Sequence, residues 1–90
     1  MTTVVNLNTS SYDTYIGRGS PFGNPFKIGK DGDREEVIRK FKIYFVTRLR
    51  DRTFEQKLLE LRGRRLGCYC SPLACHGDVI AEYLNKLSGI

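Results

Sequence analysis

The chain has 90 residues, 40% of them hydrophobic, and a net charge of +5. This length predicts a single domain, residues 1–90, with a limited core that a metal ion or an oligomeric partner would help to stabilise. The hydrophobic runs are far shorter than the roughly 18 apolar residues of a membrane span, and the N-terminus lacks the basic and apolar regions of a signal peptide, so we expect a cytoplasmic protein without a membrane partner.

Two short strands are predicted in the N-terminal part of the chain. Residues 3–8 (TVVNLN) form a β-branched run, and a second strand is predicted from Thr14 to Ile16. Residues 17–33, called the glycine-rich loop below, then contain five of the nine glycines and two of the three prolines. Such punctuation excludes a helix and predicts a long ordered loop.

Two helices are predicted after this loop. Asp33 is the expected N-cap of the first, with Glu36 completing a capping box. Its apolar residues recur at helical spacing and form one stripe, which consists of Val37, Ile38, Phe41, Tyr44, Phe45 and Leu49. In the second helix, Thr53 is the expected N-cap with Gln56 as its partner, and Gly63 is expected just beyond the end. The buried face of this second helix is predicted to be Phe54, Leu58 and Leu61.

The positive charge is concentrated in one part of the chain. Residues 34–65 hold eleven Lys or Arg and five Asp or Glu, a balance of +6, so the remainder carries −1. A basic segment of this kind indicates binding of nucleic acid or of another polyanion. It is also typical of a solvated helical face with i,i+4 charge pairs, so both interpretations stay open.

The C-terminal part contains a third strand, predicted from Arg65 to Cys70, and a third helix over residues 75–87 that stops at Ser88 and Gly89. The element order β-β-α-α-β-α predicts an α/β protein, a small single-domain Rossmann-like layered fold with a short three-stranded sheet and three helices. Ligands of open α/β sheets bind at the carboxyl ends of the strands. We therefore expect a site between residues 17–26 of the glycine-rich loop and residues 68–78, called the Cys/His segment below.

The Cys/His segment contains all three cysteines and the only histidine of the chain. The odd number argues against a complete disulfide framework and indicates a metal site, a catalytic thiol or inert core residues. Cys68 and Cys70 share one face of the predicted strand, and Cys75 and His76 stand at the start of the helix. These four are candidate ligands of zinc or of an iron–sulfur cluster. Their spacing differs from the usual C-x2-C pair, and neighbouring residues diverge by about 100° on a helix.

The same segment also suits an anion or a reactive thiol. The free N–H groups of the first helical turn favour a phosphate, and Gly77 would let a ligand approach closely. The helix field would lower the pKa of Cys75, so Cys75, His76 and Asp78 are the candidate catalytic residues, as nucleophile, acid or base. The alternative is structural, with the two strand cysteines in the core and with His76 and Asp78 as helix caps.

The glycine-rich loop supplies the opposite wall of the predicted site. Arg18 and Ser20 place a guanidinium and a hydroxyl among flexible amides that can cradle a phosphate, although the pattern is neither GxGxxG nor a Walker A loop. Asn24 offers its amide to a base edge, and Phe26 can stack on a ring or pin the loop to the core. The candidate ligand-binding residues are Gly17, Arg18, Gly19, Ser20, Asn24, Phe26 and Gly77.

Two motifs of the chain are specific enough to compare with known families. The first, G-R-G-S-x-x-G-N-P-F, covers residues 17–26, and the second, C-x-C-x-P-x-x-C-H-G-D, covers residues 68–78. Both resemble a family of uncharacterised phage and bacterial reading frames, domain-of-unknown-function family 4326, over about residues 4–85. Tyr69 stands where an aromatic residue, often tryptophan, is usual. The resemblance implies a site at the two motifs, and the host cytoplasm for a phage-encoded member, but it implies no particular activity.

The leading hypothesis is a small nucleotide- or nucleoside-directed protein of phage or bacterial nucleotide or nucleic-acid metabolism. It holds a phosphate-bearing ligand between the glycine-rich loop and the Cys/His segment, and whether it is an enzyme stays open. One alternative is a zinc or iron–sulfur protein that uses the cysteine cluster. Another is a basic module that binds nucleic acid or a host protein without catalysis. We also expect a homodimer, because so small a sheet leaves an edge to cover.

Overall fold

The computed structural model describes residues 1–87, which form three strands and three helices in the predicted order. The elements are β1 (Thr3–Asn6), β2 (Thr14–Tyr15), α1 (Arg34–Arg48), α2 (Arg52–Leu59), β3 (Arg65–Cys68) and α3 (His76–Leu87). The α/β class is confirmed, while the predicted helix end at residues 88–89 lies outside the described residues. Within residues 1–87, no helix is long and apolar enough to cross a membrane.

The three strands form one parallel sheet in the order β1-β3-β2. The central strand, β3, brings Leu66 opposite both Val4 and Thr14. The carboxyl ends of all three strands therefore lie at one edge of the sheet. As predicted, the glycine-rich loop and the Cys/His segment begin at this shared edge, on the neighbouring strands β2 and β3.

The core lies where α1 and α3 pack together and α3 packs against the sheet. Residues such as Ile16, Leu66, Ile80 and Leu84 have no exposed surface. On the helical side, the ring of Phe41 stacks on that of Phe45, with 5.7 Å between their centroids. Burial of side chains of this size contributes about 1.5–3 kcal/mol each, which makes the α1 stripe a main source of stability.

Helix α1 begins as predicted, with Asp33 accepting a hydrogen bond from the backbone N–H of Glu36 at 2.9 Å. The carboxylate of Glu36 pairs with Arg39 on the next turn. No hydrogen bond from the Asp33 N–H to Glu36 accompanies it in the described contacts, so the cap works through Asp33.

The predicted start and end of α2 are wrong. Asp51, not Thr53, is the N-cap, because its carboxylate accepts hydrogen bonds from the N–H groups of Thr53 (2.9 Å) and Phe54 (3.4 Å). Because this carboxylate accepts from two amides of the first turn, the helix starts at Arg52, earlier in the chain than predicted. The helix ends at Leu59, so Gly63, with φ +75°, lies in the following left-handed turn and does not flank the helix end.

Strand β3 ends at Cys68 and not at Cys70 as predicted. Its pairing with β1 ends at Asn6, whose side-chain amide then turns toward the following chain and donates to the carbonyls of Tyr69 (3.3 Å) and Ser71 (2.9 Å). These carbonyls are satisfied by a side chain in place of a strand ladder, which lets the chain turn there through a cis peptide between Ser71 and Pro72.

Candidate functional site

A cleft of about 520 Å³ opens at the carboxyl edge of the sheet. One wall is the glycine-rich loop, the second is the first turn of α1 and the third is the Cys/His segment. The volume is that of a small-molecule binding site. The two motifs singled out in the sequence therefore face each other across one cavity.

The shape of the loop wall depends on glycines at two close approaches. A Cβ on Gly17 would collide with the ring of Tyr15, and a Cβ on Gly23 would lie 2.7 Å from the carbonyl oxygen of Gly17. The hydroxyl of Ser20 donates to that same carbonyl at 2.7 Å and accepts from the N–H of Phe22 at 3.3 Å. Ser20 thus shapes the loop and does not line the cleft. Gly19 also lies outside the lining, at a left-handed φ of +91°.

Asn24 joins the loop to α1. Its side-chain oxygen accepts from the N–H of Phe26 at 2.9 Å, and its amide nitrogen donates to the carbonyl of Val37 at 3.2 Å. Asn24 lines the cleft, but its amide oxygen and one of its two N–H groups each already have a backbone partner. The half-buried ring of Phe26 also lines the cleft and meets Tyr44 of α1 edge-on, with 6.2 Å between centroids.

The cleft is lined by three cationic side chains, Arg18, Lys27 and Arg34, and by no Asp or Glu of the described residues. Arg18 and Lys27 are exposed, whereas Arg34 is half-buried and donates to the carbonyl of Ala74 at 3.1 Å. This bond holds the start of α1 against the Cys/His segment. With three positive charges and no carboxylate among these groups, the cleft attracts anions.

Cys68 and Cys75 meet in the lining of the cleft, with their sulfur atoms 3.3 Å apart. Cys68 ends β3, and Cys75 precedes α3. The hydrogen bond from the Cys75 thiol, together with the N–H groups of Ser71 and Cys70, lowers the pKa of Cys68 to about 5. The same hydrogen bond and burial raise the pKa of Cys75. The close contact therefore favours ionisation of Cys68 over that of Cys75.

His76 is buried behind this pair. Its Nε2 lies 2.7 Å from the carbonyl oxygen of Ile16, which can only accept, so Nε2 carries the hydrogen and donates. Its ring packs edge-on against Phe41, with 5.1 Å between centroids. Burial lowers the pKa of the imidazole, which is therefore neutral at pH 7. His76 ties the end of β2 to the start of α3 and also borders the cleft.

The two following residues support the start of α3 from outside the cleft lining. The carboxylate of Asp78 accepts a hydrogen bond from the N–H of Cys75 at 3.0 Å, as the acidic partner of a capping box does. Gly77 faces the core, where an added Cβ would lie 2.7 Å from Ile16 Cδ1. The structure thus assigns Asp78 and Gly77 to helix start and packing.

The four predicted metal ligands are only partly brought together. Cys68 and Cys75 are in contact, Cys70 lines the same cleft, and the Nε2 of His76 is held by a backbone carbonyl. Within residues 1–87, the structure contains no group of three or more His, Cys, Asp or Glu side chains arranged to hold a metal ion. The zinc and iron–sulfur sites stay predictions.

Several cleft residues were not among the predicted site residues, in particular Tyr15, Lys27, Arg34 and Tyr69. The position of Tyr15 and Tyr69 at the cleft could have been predicted from strand pairing, since each stands at the carboxyl end of one of two neighbouring strands. The sequence offered little reason to place Arg34 at the cleft, because it is one of eleven basic residues of the segment 34–65. Only the position of α1 against the Cys/His segment selects it.

Most of the basic segment lies away from the cleft, and part of its charge is used within the protein. Arg39 pairs with Glu36, and Arg65 pairs with Asp13 at 3.4 Å. The guanidinium of Arg48 lies 4.2 Å from the ring centroid of Phe54. These contacts account for several of the positive charges without an external partner.

Comparison with known proteins gives a family but no activity. The model of the family described as "Domain of unknown function (DUF4326)" matches residues 4–86, which confirms the resemblance seen in the sequence. The "Uncharacterized 12.4 kDa protein in nrdA-td intergenic region" of Enterobacteria phage T4 is 46% identical over 86 residues, covering 93% of this chain and 78% of that protein. No solved structure matches the chain.

Proposed function

We propose that this protein, which belongs to the DUF4326 family, binds a nucleoside phosphate in the cleft between the glycine-rich loop and the Cys/His segment. The observation that carries the proposal is the lining of the cleft, in which three cationic side chains and three aromatic rings surround a cavity free of Asp and Glu among the described residues. A nucleoside phosphate combines the two properties that this lining complements, an anionic group and a planar ring.

The phosphate is assigned to the cationic residues. Arg18 and Lys27 are exposed and can move to meet a ligand, whereas Arg34 is held in place by its bond to Ala74. A guanidinium binds phosphate with two parallel hydrogen bonds, which orients it as well as attracting it. In this arrangement Arg34 fixes the position of the anion, and the two exposed side chains close over it.

The base is assigned to the aromatic residues. Tyr15 and Tyr69 meet edge-on, with 6.4 Å between centroids, and Tyr69 is 62% exposed. An exposed ring at the mouth of a cleft offers a face on which a base can stack, and such stacking contributes about 1–3 kcal/mol per base. Because Asn24 is engaged by the backbone, stacking supports recognition of a base better than hydrogen bonding to its edge does.

The position of the cleft supports the same assignment. It lies at the carboxyl edge of a parallel sheet, where ligands of open α/β sheets bind. We interpret β3, the Cys/His segment and α3 as a Rossmann-like half unit, and the protein as cytoplasmic.

The test compares ligands on the folded protein by thermal shift and calorimetry. A nucleoside monophosphate should raise the Tm more than either inorganic phosphate or the free nucleoside, since binding to the folded state alone stabilises it. Arg18→Ala should weaken this binding roughly fivefold, equivalent to about 1 kcal/mol for an exposed ion pair. Arg50→Ala is the matched control, an exposed arginine outside the cleft.

Two results would end the proposal. One is that no nucleoside phosphate stabilises the wild-type protein at millimolar concentration. The other is that Arg18→Ala and Arg50→Ala weaken binding equally, which would assign the effect to overall charge. The metal hypothesis is tested separately by elemental analysis of protein purified without chelators, where one zinc per chain, or iron with inorganic sulfide, would support it and absence of stoichiometric metal would end it.

A further inference from the structure

The sulfur atoms of Cys68 and Cys75 are in direct contact at 3.3 Å. We propose that Cys68 and Cys75 are a redox-active dithiol, which a small hydroperoxide entering the cleft converts into an intramolecular disulfide. This reaction goes beyond ligand binding and requires no nucleotide, so its test is independent of the proposed function.

The geometry places the two sulfur atoms one short movement from a bond. They lie 3.3 Å apart, so a disulfide requires an approach of about 1.3 Å. They come from different elements, the end of β3 and the residue before α3, and the chain between them is a turn. Leu73 and Ala74 of that turn are exposed, so a shift of this size displaces no buried side chain at those two positions.

The surroundings of the pair assign different roles to the two sulfur atoms. The hydrogen bond that Cys68 Sγ shares with Cys75 Sγ, helped by the backbone N–H groups of Ser71 and Cys70, lowers the pKa of Cys68. The hydrogen bond to Cys68 and burial raise the pKa of Cys75, and the carboxylate of Asp78 adds to this in the same direction. The disulfide follows from the 3.3 Å contact whichever sulfur attacks; because thiolates react with peroxides much faster than thiols, we assign the attack to Cys68 and the resolving step to Cys75.

Access to the pair favours a small oxidant. Cys68 and Cys75 both line the cleft but are only 2% and 3% exposed, respectively. A hydroperoxide fits such an opening better than a bulky disulfide does. Cys70 lines the same cleft and is half-buried, but it is not part of the close sulfur pair. It therefore shows how a more exposed thiol of the same cleft reacts when no second sulfur is in contact.

The reaction balances with the hydroperoxide as the oxidant. The Cys68 thiolate attacks the terminal oxygen, the O–O bond breaks, and the alkoxide that leaves takes up a proton to become an alcohol, or water in the case of hydrogen peroxide. Cys75 then loses its proton, its sulfur attacks Cys68 Sγ, and the S–O bond breaks to release water. Two thiols and one hydroperoxide give one disulfide, one alcohol and one water, with two electrons transferred from sulfur to oxygen.

The first experiment maps the disulfide in the wild-type protein. The reduced, folded chain is treated with hydrogen peroxide, the remaining thiols are alkylated in denaturant, and the protein is cut with chymotrypsin and analysed by mass spectrometry. Cleavage after Tyr69 and Leu73 places the three cysteines in separate peptides. We expect the Cys68 and Cys75 peptides to be linked, Cys70 to be alkylated, and dithiothreitol to restore all three thiols. A disulfide that includes Cys70, a disulfide between two chains, or three free thiols after peroxide would overturn the proposal.

The second experiment separates the roles of the two cysteines. In Cys75→Ser, the sulfenic acid on Cys68 has no resolving thiol and should be trapped by dimedone. In Cys68→Ser, dimedone labelling of Cys75 should be about tenfold lower, because burial and the carboxylate of Asp78 still disfavour its thiolate when Cys68 is absent. Cys70→Ser is the matched control and should still form the disulfide. Circular dichroism checks that each variant folds, and equal labelling of Cys68 and Cys75 would contradict the assignment of the attacking sulfur.

Discussion

The two walls of the cleft use their polar groups in opposite ways. In the glycine-rich loop, the side chains of Ser20 and Asn24 donate hydrogen bonds to backbone carbonyls of the loop and of α1, respectively. The charged groups of Arg18 and Lys27 line the cleft. The Cys/His segment instead buries its polar groups in pairs: Cys68 with Cys75, and His76 with the carbonyl of Ile16, which follows β2. One wall therefore offers exposed charge for recognition, and the other offers protected groups with shifted pKa values.

This contrast explains why charge and reactivity coexist in one small cleft. Exposed arginine and lysine keep their charge at little cost, whereas a thiolate among buried groups exists only because hydrogen bonds compensate its desolvation. The same logic makes the Cys/His segment sensitive to pH and to oxidation, and the glycine-rich loop sensitive to salt and to ligand charge. The predictions below test the difference, beginning with the largest expected effect.

The largest expected effect is on the titration of Cys68. The ultraviolet absorbance of the folded protein should show a thiolate forming near pH 5, against an ordinary pKa of 9.0, because Cys75 and two backbone N–H groups donate to this sulfur. Cys68→Ser should lose this step, and Cys70→Ser should keep it. If no thiolate appears below pH 7 in the folded wild-type protein, the contrast between the two walls fails.

The free energy of unfolding should follow these pKa values. Between about pH 5 and the ordinary thiol pKa of 9.0, the unfolded chain holds a proton that folded Cys68 has lost, so the free energy of unfolding falls as the pH is lowered through this window to about 5. Above this window the raised pKa of Cys75 acts in the opposite direction. His76 acts in the same direction as Cys68, because its lowered pKa lets the unfolded chain take up a proton first. Urea denaturation at a series of pH values measures the effect, and greater stability on acidification below neutrality would contradict it.

Removal of the buried imidazole should destabilise the fold most among single substitutions at the cleft. His76→Ala leaves the carbonyl of Ile16 without its donor and a space beside Phe41, and we expect a loss of about 3 kcal/mol. Denaturant unfolding measures the loss. Lys86→Ala, on the exposed far end of the same helix, should change stability by less than about 0.5 kcal/mol. Equal effects of the two substitutions would refute the role assigned to His76.

On the opposite wall, Asn24→Ala should have a smaller effect. It removes two half-buried hydrogen bonds, to Phe26 and to Val37, and we expect a loss of about 1–2 kcal/mol together with weaker nucleotide binding. Asn8→Ala, an exposed asparagine before β2, is the control and should leave both quantities unchanged. Retention of full stability and full binding by Asn24→Ala would show that the loop does not depend on this link.

The smallest expected effect is at the start of α3. Asp78→Ala removes the acceptor of the Cys75 N–H and should cost about 1 kcal/mol, as the loss of a helix cap does. Asp78→Asn should retain most of this stability, because its amide oxygen still accepts the hydrogen bond. Thermal unfolding of the two variants provides the measurement, and an Asp78→Ala variant as stable as the wild type would contradict the capping role.

Much of the fold follows from local patterns in the sequence. The order of the six elements, the cap at Asp33 and the apolar stripe of α1 depend on residues close together in the chain, so periodicity and turn chemistry predict them. One error occurs where two local signals compete, and the other occurs where a distant residue acts. Asp51 outcompetes Thr53 as the N-cap of α2, and Asn6, a residue distant in sequence, ends β3 before Cys70.

The sequence by itself determined that two motifs, residues 17–26 and 68–78, meet at the carboxyl edge of a small α/β sheet. The tertiary structure decided what each motif residue does there. It turned Ser20, Gly77 and Asp78 away from the cleft and selected Arg34 from a basic segment. It also brought two cysteines seven positions apart to within 3.3 Å. Spacing along the chain fixes which elements meet, but the direction of a side chain depends on packing between elements that no local pattern encodes.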